Sequence, residues 1–500
     1  MLTLTDLFCG AGGSSTGAIE IPGVEVRVAS NHWDLAVETH NTNHPDADHL
    51  CADLSQIDPR RFPRTDILWA SPECTNHSVA KGRKRVDSQP DLFGEVLPDA
   101  AAERSRATMW DVPRFAEAHH YQAVIVENVV DAWHWQPFQA WLMAMDSLGY
   151  EHHIVFLNSM HAQAFGLGAP QSRDRMYVVF WRKDNPRPDL DRVTRPPAVC
   201  PTCGPVRAMQ VWKRADRAPW GRYRAQYVYR CPSVKCRNQI LEPSFRPAAE
   251  IIDWSHLGQR IGDRAKPLAA KTLARIEAGI QRYWAPFITE HRHEYRVRGV
   301  DVPLQTVAAA GNHFGLAVPV EGRDGKQAAP VDQPTRTMTT RNETGLAFIA
   351  ELRGGGSTHR PVSEPLATLT ASGTHHGLVT VDHGDVTRAD VFAGRWYRHE
   401  PKPLITSYYG NGGTRPADRE LATVTTVETH ALLDAPTINV DDVLFRMLEP
   451  REIARAMDFP AEYRILGNRR EQVRQAGNAV TPPAARDLVG VVADSLGVGS

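Results

Sequence analysis

Over the first 185 residues, short apolar runs alternate with amphipathic ones. The runs from Leu2 to Phe8, Val24 to Ser30, Thr65 to Ala70, Ala123 to Glu127, His153 to Asn158 and Met176 to Trp181 have the length and the β-branched or aromatic content of strands. Between them, Asp34 to Asn43, Arg106 to His119 and Phe138 to Leu148 space their apolar residues as half-buried helices do. This alternation predicts a doubly wound, Rossmann-like α/β sheet. Ligands of such sheets bind outside the carboxyl ends of the strands, so the chemistry is expected just beyond those ends.

From Lys183 the pattern gives way to Pro- and Arg-rich sequence, and α/β alternation returns only near residue 440. The helical run Pro267 to Tyr283 looks like a connector. After it, Pro303-Leu-Gln-Thr306, Pro334-Thr-Arg-Thr337 and Pro365-Leu-Ala-Thr368 recur every 31 residues, each followed by a Gly-Leu pair (Gly315-Leu316, Gly345-Leu346, Gly377-Leu378). A further copy, Glu420-Leu-Ala-Thr423, lacks the proline. Self-similarity at a fixed period predicts a repeated β unit. The expected organisation is therefore a first catalytic part, 1–185, and an inserted β-rich region, 186–440, with repeats over 286–433; a second part, 441–500, completes the first.

Composition narrows the class. At 500 residues, 42% hydrophobic and 23% charged, the chain is an ordinary globular protein long enough for two or three domains. No stretch approaches the roughly 20 apolar residues of a membrane span, and the chain opens on a strand where a signal peptide would stand, so a cytoplasmic monomer is expected. The net charge of −1 argues against wholesale coating of nucleic acid. Residues 201–300 nevertheless hold 19 Lys/Arg against 8 Asp/Glu, a local surplus suited to a binding face.

Four blocks carry candidate chemistry. Asp6-Leu-Phe-Cys-Gly-Ala-Gly-Gly13 follows a strand and opens a helix; Gly10, Gly12 and Gly13 let backbone approach a ligand, Phe8 offers an aromatic wall, and no Gly-Lys-Ser/Thr is present to hold phosphates. That combination suits a methionine-linked adenosine better than a triphosphate. Cys74, in Ala70-Ser-Pro-Glu-Cys-Thr-Asn-His-Ser78, stands after a strand and before a loop holding Lys81, Arg83, Lys84 and Arg85. Glu127-Asn-Val129 ends another strand, and Gln171-Ser-Arg173-Asp-Arg175 puts two arginines on one face of an extended segment. Taken singly, a cysteine after a strand is more often packing, and Glu-Asn-Val is a trivial tripeptide.

In this order, and with Arg106-Ala-Thr108 and Gly477-Asn-Ala-Val480, the blocks resemble the cytosine-C5 DNA methyltransferases. The resemblance covers the first 185 and the last 55 residues and implies an S-adenosyl-L-methionine cofactor and a double-stranded DNA partner. It implies that Cys74 adds to C6 of a flipped-out cytosine, that Glu127 serves N3, that Arg175 holds O2, and that Arg173 orients the cysteine or a phosphate. For the cofactor it points to Asp6, Phe8, Gly10, Gly12, Gly13, Trp33 as an adenine face, Asp53 as acceptor from the adenine amino group, and Asn478 with Ala479. Two positions depart from the family pattern. His32 stands where an acid usually grips the ribose, and Glu73 separates Pro72 from Cys74. An acid beside a thiol opposes its ionisation unless a cation pairs with it, and the loop lysines and arginines are the expected partners.

Within the insert, Cys200-Pro-Thr-Cys203 and Cys231-Pro-Ser-Val-Lys-Cys236 are two thiolate pairs at the spacing of a four-cysteine zinc ribbon over 200–236. Between them Trp212-Lys-Arg214, Arg217 and Trp220-Gly-Arg-Tyr-Arg224 mix aromatics and cations, which serves either DNA contact or structural bracing. The reading is a DNA (cytosine-5-)-methyltransferase with an inserted, zinc-ribbon-containing target-recognition region, acting in restriction-modification, a phage or defence. An RNA cytosine-C5 methyltransferase and a catalytically silent sequence-specific DNA-binding protein remain the alternatives.

Overall fold

The computed structural model describes residues 1–73, 108–256, 258–270, 272–274, 276–277 and 440–498, and between 288 and 433 the backbone of strands alone. The first part is a seven-stranded sheet built from β1 (Leu2–Leu7), β2 (Val24–Asn31), β3 (Asp48–Cys51), β4 (Ile67–Ala70), β5 (Ala123–Asn128), β6 (Tyr150–Asn158) and β8 (Asp174–Arg182), with the short β7 (Gln171–Ser172) leading into β8. Its order is β3-β2-β1-β4-β5-β8-β6. Neighbours from β3 through β5 pair in parallel, while β8 runs antiparallel to both β5 and β6. The chain winds outward from β1 in one direction and then, from β4, in the other. The switch point, and hence the crevice, lies between the carboxyl ends of β1 and β4.

Strands β4 and β5 are buried at every residue, as continuous apolar runs covered on both faces should be. The helices are α1 (Gly13–Ile19), α2 (Asp34–Asn43), α3 (Asp111–His119) and α4 (Phe138–Ser147). The doubly wound α/β expectation holds. Strand β3, whose Asp-His-Leu-Cys sequence has no apolar run, was not among the predicted strands. The connector is helical at residues 270, 272–274 and 276–277.

The C-terminal residues rejoin this body through α5 (Pro450–Met457), α6 (Arg469–Asn478) and α7 (Pro482–Ser495). Every residue of α7 from Pro482 to Ala493 is buried, including the Arg486–Asp487 ion pair at 2.9 Å. That pair is satisfied by backbone: Ala164 N and Phe165 N donate to Asp487, and Arg486 donates to the carbonyls of Ala162 and Leu167. Helix α1 lies against α7 at a distance only glycine permits. A Cβ at Gly17 would fall 2.1 Å from the Pro482 carbonyl oxygen and 2.7 Å from Arg486 N. Not all of the C-terminal stretch returns to the first sheet. Val443–Met447 pairs with His313–Pro319, His375–Asp382 and Gln259–Arg260 in an eight-stranded sheet of the inserted region.

The insert opens with β9 (Pro197–Cys200) and β10 (Gly204–Arg207), followed by β11 (Met209–Trp212), β12 (Tyr227–Arg230) and β13 (Ile240–Leu241). Farther on, the three predicted Gly-Leu pairs lie in the strands His313–Pro319, Gly345–Glu351 and His375–Asp382. The first and third pair in parallel with His313 opposite His375 and Leu316 opposite Leu378, whereas Gly345–Glu351 runs antiparallel to the third. Leu366–Ala367, from the third repeat, pairs with β7 of the catalytic part. Among the described residues no helix is long and apolar enough to cross a membrane.

The α1–α7 contact is testable. Gly17→Ala is expected to lower the free energy of unfolding by about 1–3 kcal/mol, because both atoms it meets are backbone and cannot rotate away. A urea midpoint unchanged from wild type would contradict this packing.

Candidate active site

The Gly-rich turn leaves β1 at the switch point. Its backbone is anchored by Cys9 N donating to Ser30 O at 3.0 Å and Gly12 N donating to Cys9 O at 2.9 Å. Phe8 sits at φ 59°, a left-handed conformation that an aromatic residue seldom adopts and that the surrounding structure must impose. Gly10 shares that conformation at φ 53°, and among the described residues no atom lies within 4 Å of where its Cβ would be, so the turn leaves open space there. Gly12 and Gly13 serve packing: added Cβ atoms would meet Tyr463 Oη at 2.4 Å and the Val480 carbonyl oxygen at 1.9 Å.

Asp6, fully buried, accepts from Ser14 Oγ at 2.6 Å and Ser15 Oγ at 2.7 Å through Oδ2. Its other oxygen, Oδ1, has no hydrogen-bond partner among the described residues. Burial pushes the carboxyl up to about 6 despite the two serine hydroxyls. A chain of polar side chains extends behind it: His40 Nε2 lies 2.9 Å from Ser15 Oγ, and His40 Nδ1 lies 2.8 Å from His49 Nε2. Burial lowers His40 well below the usual histidine range, so its ring is neutral. Because Ser15 spends its one proton on Asp6, His40 Nε2 is the donor to Ser15, and its Nδ1 accepts from His49. Nothing in the sequence singled out these histidines.

At the end of β2, His32 is exposed and Trp33 half-buried. The guanidinium of Arg474, from α6, lies 4.5 Å from the Trp33 ring centroid, a cation over one face of the ring. Asp53 caps the short turn Leu54–Gln56, accepting from Ser55 N at 3.1 Å and Gln56 Nε2 at 2.9 Å. Asn478 is exposed at the last residue of α6, and Ala479, next to it, is buried.

On the β4 side of the crevice, Cys74, the basic loop from Lys81 to Arg85, and Arg106 lie outside the described residues. The residues leading to Cys74 are described. Asn128 Nδ2, at the end of β5, donates to the Pro72 carbonyl at 3.4 Å, and its Oδ1 accepts from Val129 N. Glu127 Oε1 is 2.7 Å from Arg175 Nε, and each side chain is only about a tenth exposed. Arg175 also donates to the Asp174 carbonyl at 2.9 Å. Arg173 is buried and donates through both terminal nitrogens to the Gly477 carbonyl at 3.2 Å, joining this block to the C-terminal segment. The two departures from the family pattern face each other. His32 Nδ1 lies 3.6 Å from Glu73 Oε1, so one partner of the acid beside Cys74 is a histidine from the neighbouring part of the cofactor crevice.

In the insert, the ligand atoms of Cys200, Cys203, Cys231 and Cys236 lie within 4.8 Å of one another. Sulfurs bound tetrahedrally at about 2.3 Å to one zinc ion would stand about 3.8 Å apart, so the cluster fits that ion. Much of the aromatic and cationic stretch between the pairs is engaged within the chain. Trp212 packs on Phe156, Arg222 pairs with Asp131, and Arg224 pairs with Glu242, while Lys213, Arg214 and Arg217 are exposed.

A doubly wound sheet with a glycine turn at its switch point and a buried carboxylate–guanidinium pair beside it is the architecture of an α/β domain that binds its ligand at the carboxyl ends of the strands. The chain belongs to the C-5 cytosine-specific DNA methylase family, whose model it matches over residues 2–198 and 384–493. It is 30% identical over 187 residues to the type II methyltransferase M.HhaI of Haemophilus parahaemolyticus, covering 37% of this chain and 50% of that relative. Likeness to the type II methyltransferase M.NlaX of Neisseria lactamica is 31% over 185 residues, or 36% and 52% of the two chains. For M.SsoII of Shigella sonnei it is 27% over 186 residues, or 37% and 44%. The matches thus span about half the length of these relatives.

Asp6 supplies a prediction about stability. With its folded value raised to about 6 from an ordinary 3.8, the native state binds the proton more tightly than the unfolded chain. Its contribution to stability is therefore full below pH 4, declines between about pH 4 and pH 6, and stays low above, a difference of about 3 kcal/mol. The stability of Asp6→Asn relative to wild type should rise across that window in denaturant titrations. A difference independent of pH would contradict the buried charge.

Proposed function

We propose that the chain is an S-adenosyl-L-methionine-dependent DNA (cytosine-5-)-methyltransferase. The observation that carries the reading is the convergence at one switch point of the open glycine turn, the Pro72 carbonyl held by Asn128 two residues before Cys74, and the buried Glu127–Arg175 pair. S-adenosyl-L-methionine supplies a methyl group on a sulfonium centre. Among the described residues, the open space at Gly10, the unpartnered Asp6 Oδ1 and the half-buried Trp33 ring are the features that fit it, with Phe8, Asp53, Asn478 and Ala479 as the further residues of the pocket. His32, with Glu73 beside it, would be the residue placed to hold the ribose hydroxyls of that cofactor.

Cytosine C5 is a weak nucleophile. The Cys74 thiolate adds to C6. Glu127, which must take up a proton on substrate binding before it can act, gives that proton to N3, so the electron pair reaches C5, which takes the methyl group as its bond to the sulfonium sulfur breaks. The Arg175 guanidinium stabilises the carboxylate left on Glu127, and its remaining N–H groups face the task of holding O2. A base, here a water molecule, then takes the C5 proton. The C–H electron pair forms the C5=C6 bond as the C6–S bond breaks to free the Cys74 thiolate, and N3 returns its proton to Glu127. Arg173, fixed on Gly477, positions the C-terminal segment against this rim.

Such chemistry requires the base to leave the duplex, and the inserted region, 186–440, is the part left to read the flanking sequence. A zinc ion in the Cys200–Cys203–Cys231–Cys236 cluster would hold the ribbon. The relatives are type II methyltransferases, which supports a role in restriction-modification with duplex DNA as partner; a cytoplasmic monomer is the working form proposed with it.

Duplex DNA carrying 5-fluorocytosine tests the mechanism, since fluorine blocks the final loss of the C5 substituent. Wild type with cofactor should form a denaturant-resistant adduct and Cys74→Ala should not; Glu127→Gln should slow formation by about 10²-fold or more. Absence of any adduct with wild type on DNA containing its site would sink the enzyme reading. For the ribbon, elemental analysis of purified protein should find one zinc per chain in wild type and much less in Cys203→Ser. Equal metal content in the two would remove the zinc assignment.

A further inference from the structure

The stretch Trp220-Gly-Arg-Tyr223 reaches out of the ribbon onto the candidate catalytic rim. Trp220 Nε1 donates to the Val130 carbonyl at 3.1 Å, and Arg222 pairs with Asp131 at 2.5 Å. Both partners lie in the turn Val130–His134, immediately after the Glu127-Asn128 end of β5. The next residue turns to the other strand: Tyr223 N donates to Asp174 Oδ1 at 3.0 Å. Asp174 is the first residue of β8 and the immediate neighbour of Arg175. One loop therefore grips a carboxylate just beyond Glu127 and another just before Arg175, and these are the two residues that pair at 2.7 Å.

The loop is built to hold a fixed shape. Gly221, at φ 136°, is packed so closely that a Cβ would lie 2.3 Å from Gln226 Cβ. Gln226 Oε1 accepts from Arg222 N at 2.8 Å, and Gln226 N donates back to Arg222 O at 2.9 Å. Tyr223 is buried, its hydroxyl donates to Glu242 at 2.9 Å, and its ring meets His161 edge-on at 4.6 Å. The loop leads directly into β12, whose last residue precedes Cys231 of the thiol cluster.

We propose that the four-cysteine ribbon is a positioning element for the Glu127–Arg175 pair, with Arg222 and Tyr223 as positioning residues that clamp the end of β5 to the start of β8. The cluster sets the shape of β12 and its preceding loop, the loop fixes Asp131 and Asp174, and these fix the pair. A ribbon serving DNA contact alone would place its cations outward. Here the loop's own cations turn inward, Arg222 onto Asp131 and Arg224 onto Glu242, while Arg207, Lys213, Arg214, Arg217 and Lys235 elsewhere in the ribbon are exposed. The catalytic consequence rests on the methyltransferase reading, while the clamp itself does not.

Two measurements on the full chain separate these. Hydrogen–deuterium exchange should speed up in peptides covering 126–131 and 173–178 in Arg222→Ala, and also in wild type stripped of zinc, with β1 and α7 unchanged. Arg222→Lys should restore most of the protection. Unaltered exchange in both peptides overturns the clamp, as does an increase spread evenly over the protein. In single-turnover methyl transfer, Arg222→Ala should lose about tenfold or more in rate, as misplaced reacting groups do, with DNA affinity within about twofold of wild type. A loss confined to DNA affinity would make Arg222 a DNA contact and overturn the positioning role. Trp220→Phe, which removes the Val130 hydrogen bond and part of the ring contact with His134, should show the same pattern more weakly and guards against a misfolded Arg222→Ala. Wild type inactive in transfer, with the exchange result intact, would count against the methyltransferase reading and leave the clamp standing.

Discussion

The site depends on one buried ion pair. Removing Glu127 and Arg175 from water costs several kcal/mol for each charge, which their mutual attraction repays only if the geometry is held closely and the remaining donors are used. The fold meets that demand from three sides. The antiparallel register of β5 with β8 puts Glu127 opposite Tyr177, so that Arg175, two residues earlier, lies just past the end of β5. The Asp174 carbonyl takes a second N–H of Arg175, and Asn128 ties the same strand end to Pro72. The ribbon loop then grips the residues on either side.

Cofactor crevice and reactive rim share a second dependence, on the C-terminal segment. Helix α7 seats on α1 through Gly17, the Gly-rich turn is backed by Val480 and Tyr463, and Gly477 accepts both terminal nitrogens of Arg173. A segment more than 400 residues from β1 in sequence therefore sets the shape of the turn that follows β1. This explains how a large insert can interrupt the domain: Ala248, Ile251 and Ile252 pack with Leu448, Ile453 and Met457 into one core at the point where the chain leaves and returns. The buried Arg446–Glu452 pair, at 2.7 Å, closes the same junction, with Arg446 also donating to the Asp253 carbonyl.

Much of this was legible from local pattern. Strands β1, β2, β4 and β5 were legible to within two residues and α2 from Asp34 to Asn43 without error; β4 and β5, buried at every residue, carry continuous apolar runs, while β1 and β2 alternate apolar with polar positions. The four cysteines were legible from spacing alone. What escaped was tertiary. Strand β3 is polar and lies at the sheet edge, so no hydrophobic run marks it. Gly12 and Gly13 look like cofactor glycines in sequence, yet the atoms they make room for belong to Tyr463 and Val480. His32 and Glu73 each looked like an isolated departure, and only the order β2-β1-β4 brings them to 3.6 Å across the crevice. The aromatic and basic stretch around Trp220 fitted DNA contact and bracing equally well until Asp131 and Asp174 were seen to meet it.

The central claim is that this convergence of turn, pair and cysteine modifies cytosine at C5. Bisulfite sequencing of DNA from cells expressing the chain tests it most directly, since it reports the modified base and its context together. The account predicts cytosines protected from conversion at one recurring sequence with wild type and full conversion with Cys74→Ala. Full conversion at every cytosine with well-expressed wild type would contradict it.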